Sequence, residues 1–132
     1  MAINNKHGFA IDQVIAEELA CNNKTSTNVF ELNDAGSDSV HIVVEADTAI
    51  NLAGGKYLKI TPLGGASYDK SLPDINVKQG VQENANFAIG DIIAQFALPK
   101  SIIGDYRKFK INVNSDHASA SSVKVNIYSI IR

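Results

Sequence analysis

The chain has no tryptophan and a single cysteine, Cys21, among its 132 residues. One thiol excludes an intrachain disulfide, so stability has to come from packing alone. Without tryptophan, an aromatic platform for a sugar ring would have to be built on tyrosine. No apolar run approaches the length that crosses a bilayer, and the opening Met1-Ala2-Ile3-Asn4-Asn5-Lys6 has no apolar stretch of the secretory kind. These features predict a soluble chain made inside the cell, with no membrane partner, in which the Asn23-Lys24-Thr25 sequon is a chance match. A strong charge of one sign is lacking too. With a net charge of −2, no wholesale attraction to nucleic acid is expected.

Patterns that carry catalysis are equally scarce. His7, His41 and His117 stand far apart in different contexts and offer no zinc or cupin-type ligand spacing. His41 falls on the polar side of an alternating segment and reads as an exposed side chain. Cys21 follows Glu17-Glu18, a neighbourhood that disfavours the thiolate and so a nucleophilic role. Gly54-Gly55-Lys56 resembles a phosphate loop only superficially, because Ile50 occupies the upstream glycine position and Tyr57 the Ser/Thr position. Gly64-Gly65 precedes no helix and reads as a turn. A carboxylate pair for glycoside hydrolysis is defined by separation in space, and no pair stands out in the sequence. The expectation is a protein that is not an enzyme, with no catalytic residues, no metal and no cofactor.

What the chain does have is alternation. Val123, Val125 and Ile127 alternate with Lys124, Asn126 and Tyr128, predicting a strand with one wet face. Phe109, Ile111 and Val113 alternate in the same way with Lys108, Lys110, Asn112 and Asn114. The small polar Ser115-Asp116-His117-Ala118-Ser119 between them predicts a hairpin. Val40, Ile42, Val44 and Ala46 alternate with His41 and Glu45, and Leu58 and Ile60 with Tyr57, Lys59 and Thr61, giving two more strands around a Gly54-Gly55 turn. Thr25 to Leu32 is β-branched and aromatic enough for a strand, and Ile92 to Leu98 for another, bent or bulged near Gly90. Leu63 to Asn86 is too long for a bare loop in a compact domain and predicts one or two short strands. Phe9 to Ala20 carries both helical and alternating spacing, so strand and helix both stay open.

Seven or eight short strands with no βαβ alternation predict an all-β, jelly-roll-like antiparallel β-sandwich. With 45% hydrophobic and 20% charged residues, the chain has ordinary globular composition and the size of a single domain. Within it, residues 1–24 form an N-terminal arm with a first strand or short helix, and residues 25–132 the sandwich core. The charges are unevenly spread. Phe9 to Asp47 holds eight acids and one base, Lys24, whereas Lys100 to Arg132 holds six bases against Asp105 and Asp116. Either the two halves lie side by side and balance, or an acidic face meets a basic one across an oligomer or lattice contact.

Two stretches carry a family likeness. One is Ser26-Thr27-Asn28-Val29-Phe30-Glu31-Leu32. The other runs from Ile89-Gly90-Asp91 through Ala97-Leu98-Pro99 to Tyr106-Arg107-Lys108-Phe109-Lys110-Ile111-Asn112-Val113. In order and spacing over most of Thr25 to Ile131, the chain resembles a family of tailed-phage capsid cement (decoration) proteins with a jelly-roll fold. It departs from the family in the order Tyr106-Arg107, in the N-terminal stretch and between Leu63 and Asn86. The resemblance implies a structural protein of the virion, made in the host cytoplasm and bound in many copies to the outer surface of the major capsid protein lattice. It further implies a homo-oligomer, dimer or trimer. Candidate contact residues are Ile3, Phe9 and Ile11 on a polar N-terminal arm, and Tyr106 and Tyr128 on strand faces. The rival readings are a carbohydrate-binding β-sandwich module of a phage fibre or spike, and a small hydrolase on a β scaffold.

Overall fold

The computed structural model describes residues 8, 10–31, 39–52, 56–64, 67–68, 70–71, 75–78, 86–99, 108–116 and 119–130. The strands in chain order are β1 (Ile11–Ala20), β2 (Asn22–Thr25), β3 (Phe30–Glu31), β4 (Ser39–Ala46), β5 (Ile50–Asn51) and β6 (Tyr57–Gly64), followed by β7 (Lys70–Ser71), β8 (Ile75–Lys78), β9 (Asn86–Phe87), β10 (Ile92–Pro99), β11 (Lys108–Ser115) and β12 (Lys124–Ile130). Among the described residues there is no helix, and the fold is an all-β antiparallel sandwich. Residues 11–20, for which both spacings stayed open, are strand.

One sheet has the order β1-β12-β4-β10. The other runs β2-β11-β6-β7, with β3 also pairing β11 and β8 pairing β6. The pairing is nested: β1 lies antiparallel to β12, β2 to β11, β4 to β10 and β6 to β8. Such nesting describes a single long antiparallel ribbon, folded at β6–β8 and rolled so that successive ribbon segments fall in alternate sheets, which is the jelly-roll arrangement. Between the sheets, Ile15, Ile42, Val44, Val125 and Ile127 from the first pack with Phe30, Leu58, Ile60, Phe109, Ile111 and Val113 from the second. The Phe30 and Phe109 rings, opposite each other in register, lie 4.7 Å apart between centroids.

Three expectations are corrected. First, β11 and β12 are not a hairpin, because β11 pairs with β2, β3 and β6 while β12 pairs with β1 and β4. The small polar segment between them carries the chain from one sheet to the other. Secondly, Thr25 to Leu32 is not one strand: β2 and β3 both pair with β11 but are separated at Ser26. The buried Ser26 hydroxyl accepts from Ile111 N–H (3.2 Å) and donates to Asn28 C=O (3.0 Å), satisfying backbone groups where the ladder breaks. Thirdly, the side of β12 expected to be wet is closed beyond the half-buried Lys124: Asn126 is 1% exposed and Tyr128 0%, on a strand that lies with β4 in the interior of its sheet. The stretch from Leu63 to Asn86 does hold short strands, β7 and β8, with β9 beginning at Asn86. β10 carries its register irregularity between Ile92 and Ala94, just after Gly90 at φ +87°. The Gly54-Gly55 turn lies outside the described residues.

Candidate functional site

On the outward side of the first sheet, Val43, Tyr128 and Ile130 form a second apolar cluster against which Ile11 and Ile92 pack. Beside it lies a polar group whose side chains, those of Glu45, Asp47, Asn126 and Tyr128, are buried. Asn126 stands directly across from Glu45 in the β12–β4 ladder, and its Nδ2 donates to Asp47 Oδ1 (3.2 Å) and, at longer range, to Glu45 Oε1 (3.5 Å). Its Oδ1 accepts from Glu18 N–H (2.9 Å). Glu18 sits at φ +54° where the β1–β12 register is irregular between Ala16 and Leu19, so this side chain takes the donor that the bulge withdraws from the ladder. Tyr128 Oη donates to Glu45 Oε2 (3.2 Å). Burial first, and then the Glu45 carboxylate, push the Tyr128 phenol well above its ordinary range.

Solvent does not reach these two acids: Glu45 is 0% exposed and Asp47 4%. Among the described residues no buried side-chain nitrogen or oxygen lacks a partner, and no group of three His, Cys, Asp or Glu is placed to hold a metal ion. The arrangement can hold two sheet strands in register, and it presents no group to a dissolved substrate. Cys21 is likewise enclosed, and burial pushes its thiol up to about 12.

The second sheet differs. Along β6 and β11 strict alternation leaves every second side chain at the surface, including Lys59 on β6 and Lys108, Lys110, Asn112 and Asn114 on β11. Lys110 Nζ lies 5.0 Å from the Tyr68 ring centroid and Lys59 Nζ 5.9 Å from that of Tyr57, distances at which ring and ammonium attract. Asn112 Nδ2 donates to Asn23 Oδ1 (3.2 Å) and Thr25 Oγ1 (3.0 Å) on β2, tying the face to its edge strand.

At the edge where the two sheets meet, the Gln13 side chain imitates a strand partner: its Nε2 donates to Glu31 C=O (2.6 Å) and its Oε1 accepts from Glu31 N–H (3.2 Å). Farther along β1 the edge opens into a groove of about 740 Å³ with Val14, Ala16 and Leu19 among its apolar lining and Glu17, Glu18 and Lys24 as its charges. A smaller groove of about 490 Å³ lies at the β5–β9 ladder, beside Asn51, Phe87 and Asp91. Val14 and Ile89 are the exposed large apolar side chains among the described residues.

Of the candidate contact residues, Ile3, Phe9 and Tyr106 lie outside the described residues. Ile11 and Tyr128 are brought together, but in the outward apolar cluster rather than on a wet face, and the Tyr128 phenol is enclosed. His41, expected to be exposed, is half-buried. Sequence reasoning missed Asn126 as the hub of the polar cluster, since an asparagine alternating with valines looks the same whether water or other side chains satisfy it. It did place the lysines of β11 outward. No protein-family model, curated protein or solved structure matches the chain.

Proposed function

We propose that the protein is a structural capsid cement (decoration) protein that binds, as a homo-oligomer, to the outer surface of a phage major capsid protein lattice and stabilises the head. The observation that supports this reading is the surface that the nested ribbon leaves: Glu45 and Asp47 are enclosed in the first sheet, while the second offers a half-exposed row of lysine, asparagine and tyrosine. This agrees with the jelly-roll fold that the sequence resemblance implies. A shell presents many equivalent sites, so a modest contact of roughly 1,000–2,000 Å² per copy, repeated over a lattice, is enough to hold it together. The test is to assemble shells with and without the chain. Saturable binding, with a raised temperature of shell disruption, is expected; particles that never retain the chain overturn the proposal.

A second reading has Tyr57 and Tyr68 behind it, both half-buried and both neighbouring lysines on the second sheet. Tyrosines on a flat sheet can stack sugar rings, as in a carbohydrate-binding module of a fibre or spike. A glycan array separates the two, because cement shows no sugar ligand.

A further inference from the structure

We infer that the protein forms a twofold dimer by joining the free edges of β10, with Phe96 opposite Phe96 of the second copy and Gln95 opposite its Ala97. The inference rests on the homo-oligomer part of the reading above and not on the identity of the shell.

β10 ends the first sheet and is paired on one side, with β4. Which of its backbone groups are left over follows from the ladder. Ala46 N–H donates to Asp91 C=O (2.9 Å) and Ala46 C=O accepts from Gly90 N–H (2.8 Å), so the Ala46 backbone faces β10, and so does every second residue back along β4, Val44 and Ile42. Their partners Ala94 and Phe96 are therefore bonded to β4, whereas Gln95 and Ala97 point N–H and C=O the other way. Among the described residues no element pairs with that side. Gln95 and Ala97 are also exposed. An unpaired row of this kind is a template for another strand. Elsewhere the edges are guarded. β1 is broken by three register shifts, carries Glu17 and Glu18, and bonds the Glu31 backbone through its Gln13 side chain. β2 has four residues, among them Lys24 and Asn23 at φ +60°, and β7 has two. β10 has eight residues and no charge, and its register is regular from Ala94 to Pro99.

The occupant that fits is a second copy, because this edge is complementary to itself. In an antiparallel pair with the twofold axis at Phe96, Gln95 of each copy exchanges N–H and C=O bonds with Ala97 of the other, which leaves none of these groups over. Moving the axis by one residue brings in either Pro99, which has no N–H, or Ile93, at the register irregularity. At the axis the two Phe96 residues stand at the closer, non-hydrogen-bonded spacing of about 4.5 Å between Cα atoms, where an aromatic pair stabilises the ladder. Phe96 packs against the core but is only half-buried, so the second ring covers what the edge leaves open. No charge on β10 meets its like across the axis. A ladder of this length is about 26 Å long and one strand layer deep, short of the roughly 800 Å² per partner of a standard interface, so the dimer is weak and its population follows concentration.

Sedimentation velocity on the full chain, carried up to about 1 mM, tests this. Wild type should pass from monomer to dimer with concentration, and about equally at low and high salt, since no ion pair is involved. Gln95→Lys with Ala97→Lys sets lysine opposite lysine at two exposed positions and should weaken the dimer by at least about tenfold. Gln95→Glu with Ala97→Glu should do the same, and mixing the two variants should restore the dimer, which a misfolded variant could not do. Cysteine pairs under mild oxidation read the register. Gln95→Cys mixed with Ala97→Cys should crosslink, because directly opposite Cα atoms about 5.5 Å apart are within disulfide reach, while either variant alone should not. The native Cys21 is buried. A wild type that stays monomeric, a lysine variant that dimerises as well as wild type, no recovery on mixing, or a cysteine variant that crosslinks alone as well as in the mixture each overturn the contact. Particles that retain a chain which stays monomeric sink this contact alone. A chain that dimerises as described but is never retained by particles sinks the cement reading alone.

Discussion

The outward faces of the two sheets differ although their strands are built from similar alternating sequence. On β11 the burial follows the alternation, with Phe109, Ile111 and Val113 inside and Lys108, Lys110, Asn112 and Asn114 at least partly in water. On β12 the residues between the apolar positions, Asn126 and Tyr128, are as inaccessible as Val125 and Ile127. The difference shows that a polar residue on a strand has two ways to be satisfied, by water or by other polar side chains. The second leaves it part of the core.

The largest effect that tests this comparison is expected at matched asparagines. Asn126→Ala removes the donor shared by Glu45 and Asp47 and the acceptor of Glu18 N–H in a site closed to water, and should cost about 3 kcal/mol or more by urea denaturation. Asn112→Ala, on the wet face, should cost less than about 1 kcal/mol. Equal losses would erase the distinction between the faces. Tyr128→Phe keeps the ring in its cluster but leaves Glu45 without the hydroxyl, and should cost about 1–2 kcal/mol in the same assay.

Alkaline titration sharpens the same contrast. The Cys21 thiol is raised from 9.0 to about 12 by burial, and Tyr128 is raised too, so the folded chain holds these protons more tightly than the unfolded one. Their stabilising contribution is therefore fully present below about pH 9 and is lost as pH rises toward 12. The urea midpoint of wild type should fall across that window, and Cys21→Ala should flatten the slope. An unchanged slope would remove the thiol from the account. At neutral pH, Cys21 should react with a thiol reagent only as fast as the chain opens.

Smaller still is the effect at the sheet edge. Gln13→Ala deletes two exposed hydrogen bonds to Glu31 and should cost about 1 kcal/mol, with faster hydrogen exchange at the Glu31 amide. Least of all, Lys110→Gln should leave stability within about 0.5 kcal/mol of wild type, since a cation beside a half-buried surface ring contributes little.

Much of the strand inventory was legible in the sequence, because alternation of β-branched and polar residues reports locally on which side chains share a face. β4, β6, β10, β11 and β12 are where Val40–Ala46, Tyr57–Thr61, Ile92–Leu98, Lys108–Val113 and Val123–Tyr128 suggested. Less was legible of the candidate site. The outward lysines of β11 were readable, whereas the β1 groove was not, since its walls come from β1, β2 and the Thr27–Asn28 segment. Nor was the Glu45–Asn126–Tyr128 group, in which Glu45 lies 81 and 83 residues from its two partners in the chain.

The sequence alone determined a β-sandwich, with strand and helix left open over Phe9 to Ala20, because side-chain period and turn composition are local properties that each short segment carries by itself. Only the tertiary structure decided which strands pair, that β11 and β12 part company, and that Asn126 and Tyr128 on β12 are enclosed while the matching positions of β11 meet water. Pairing joins residues far apart along the chain, and a polar side chain carries no local mark of whether water or a distant partner will meet its hydrogen bonds.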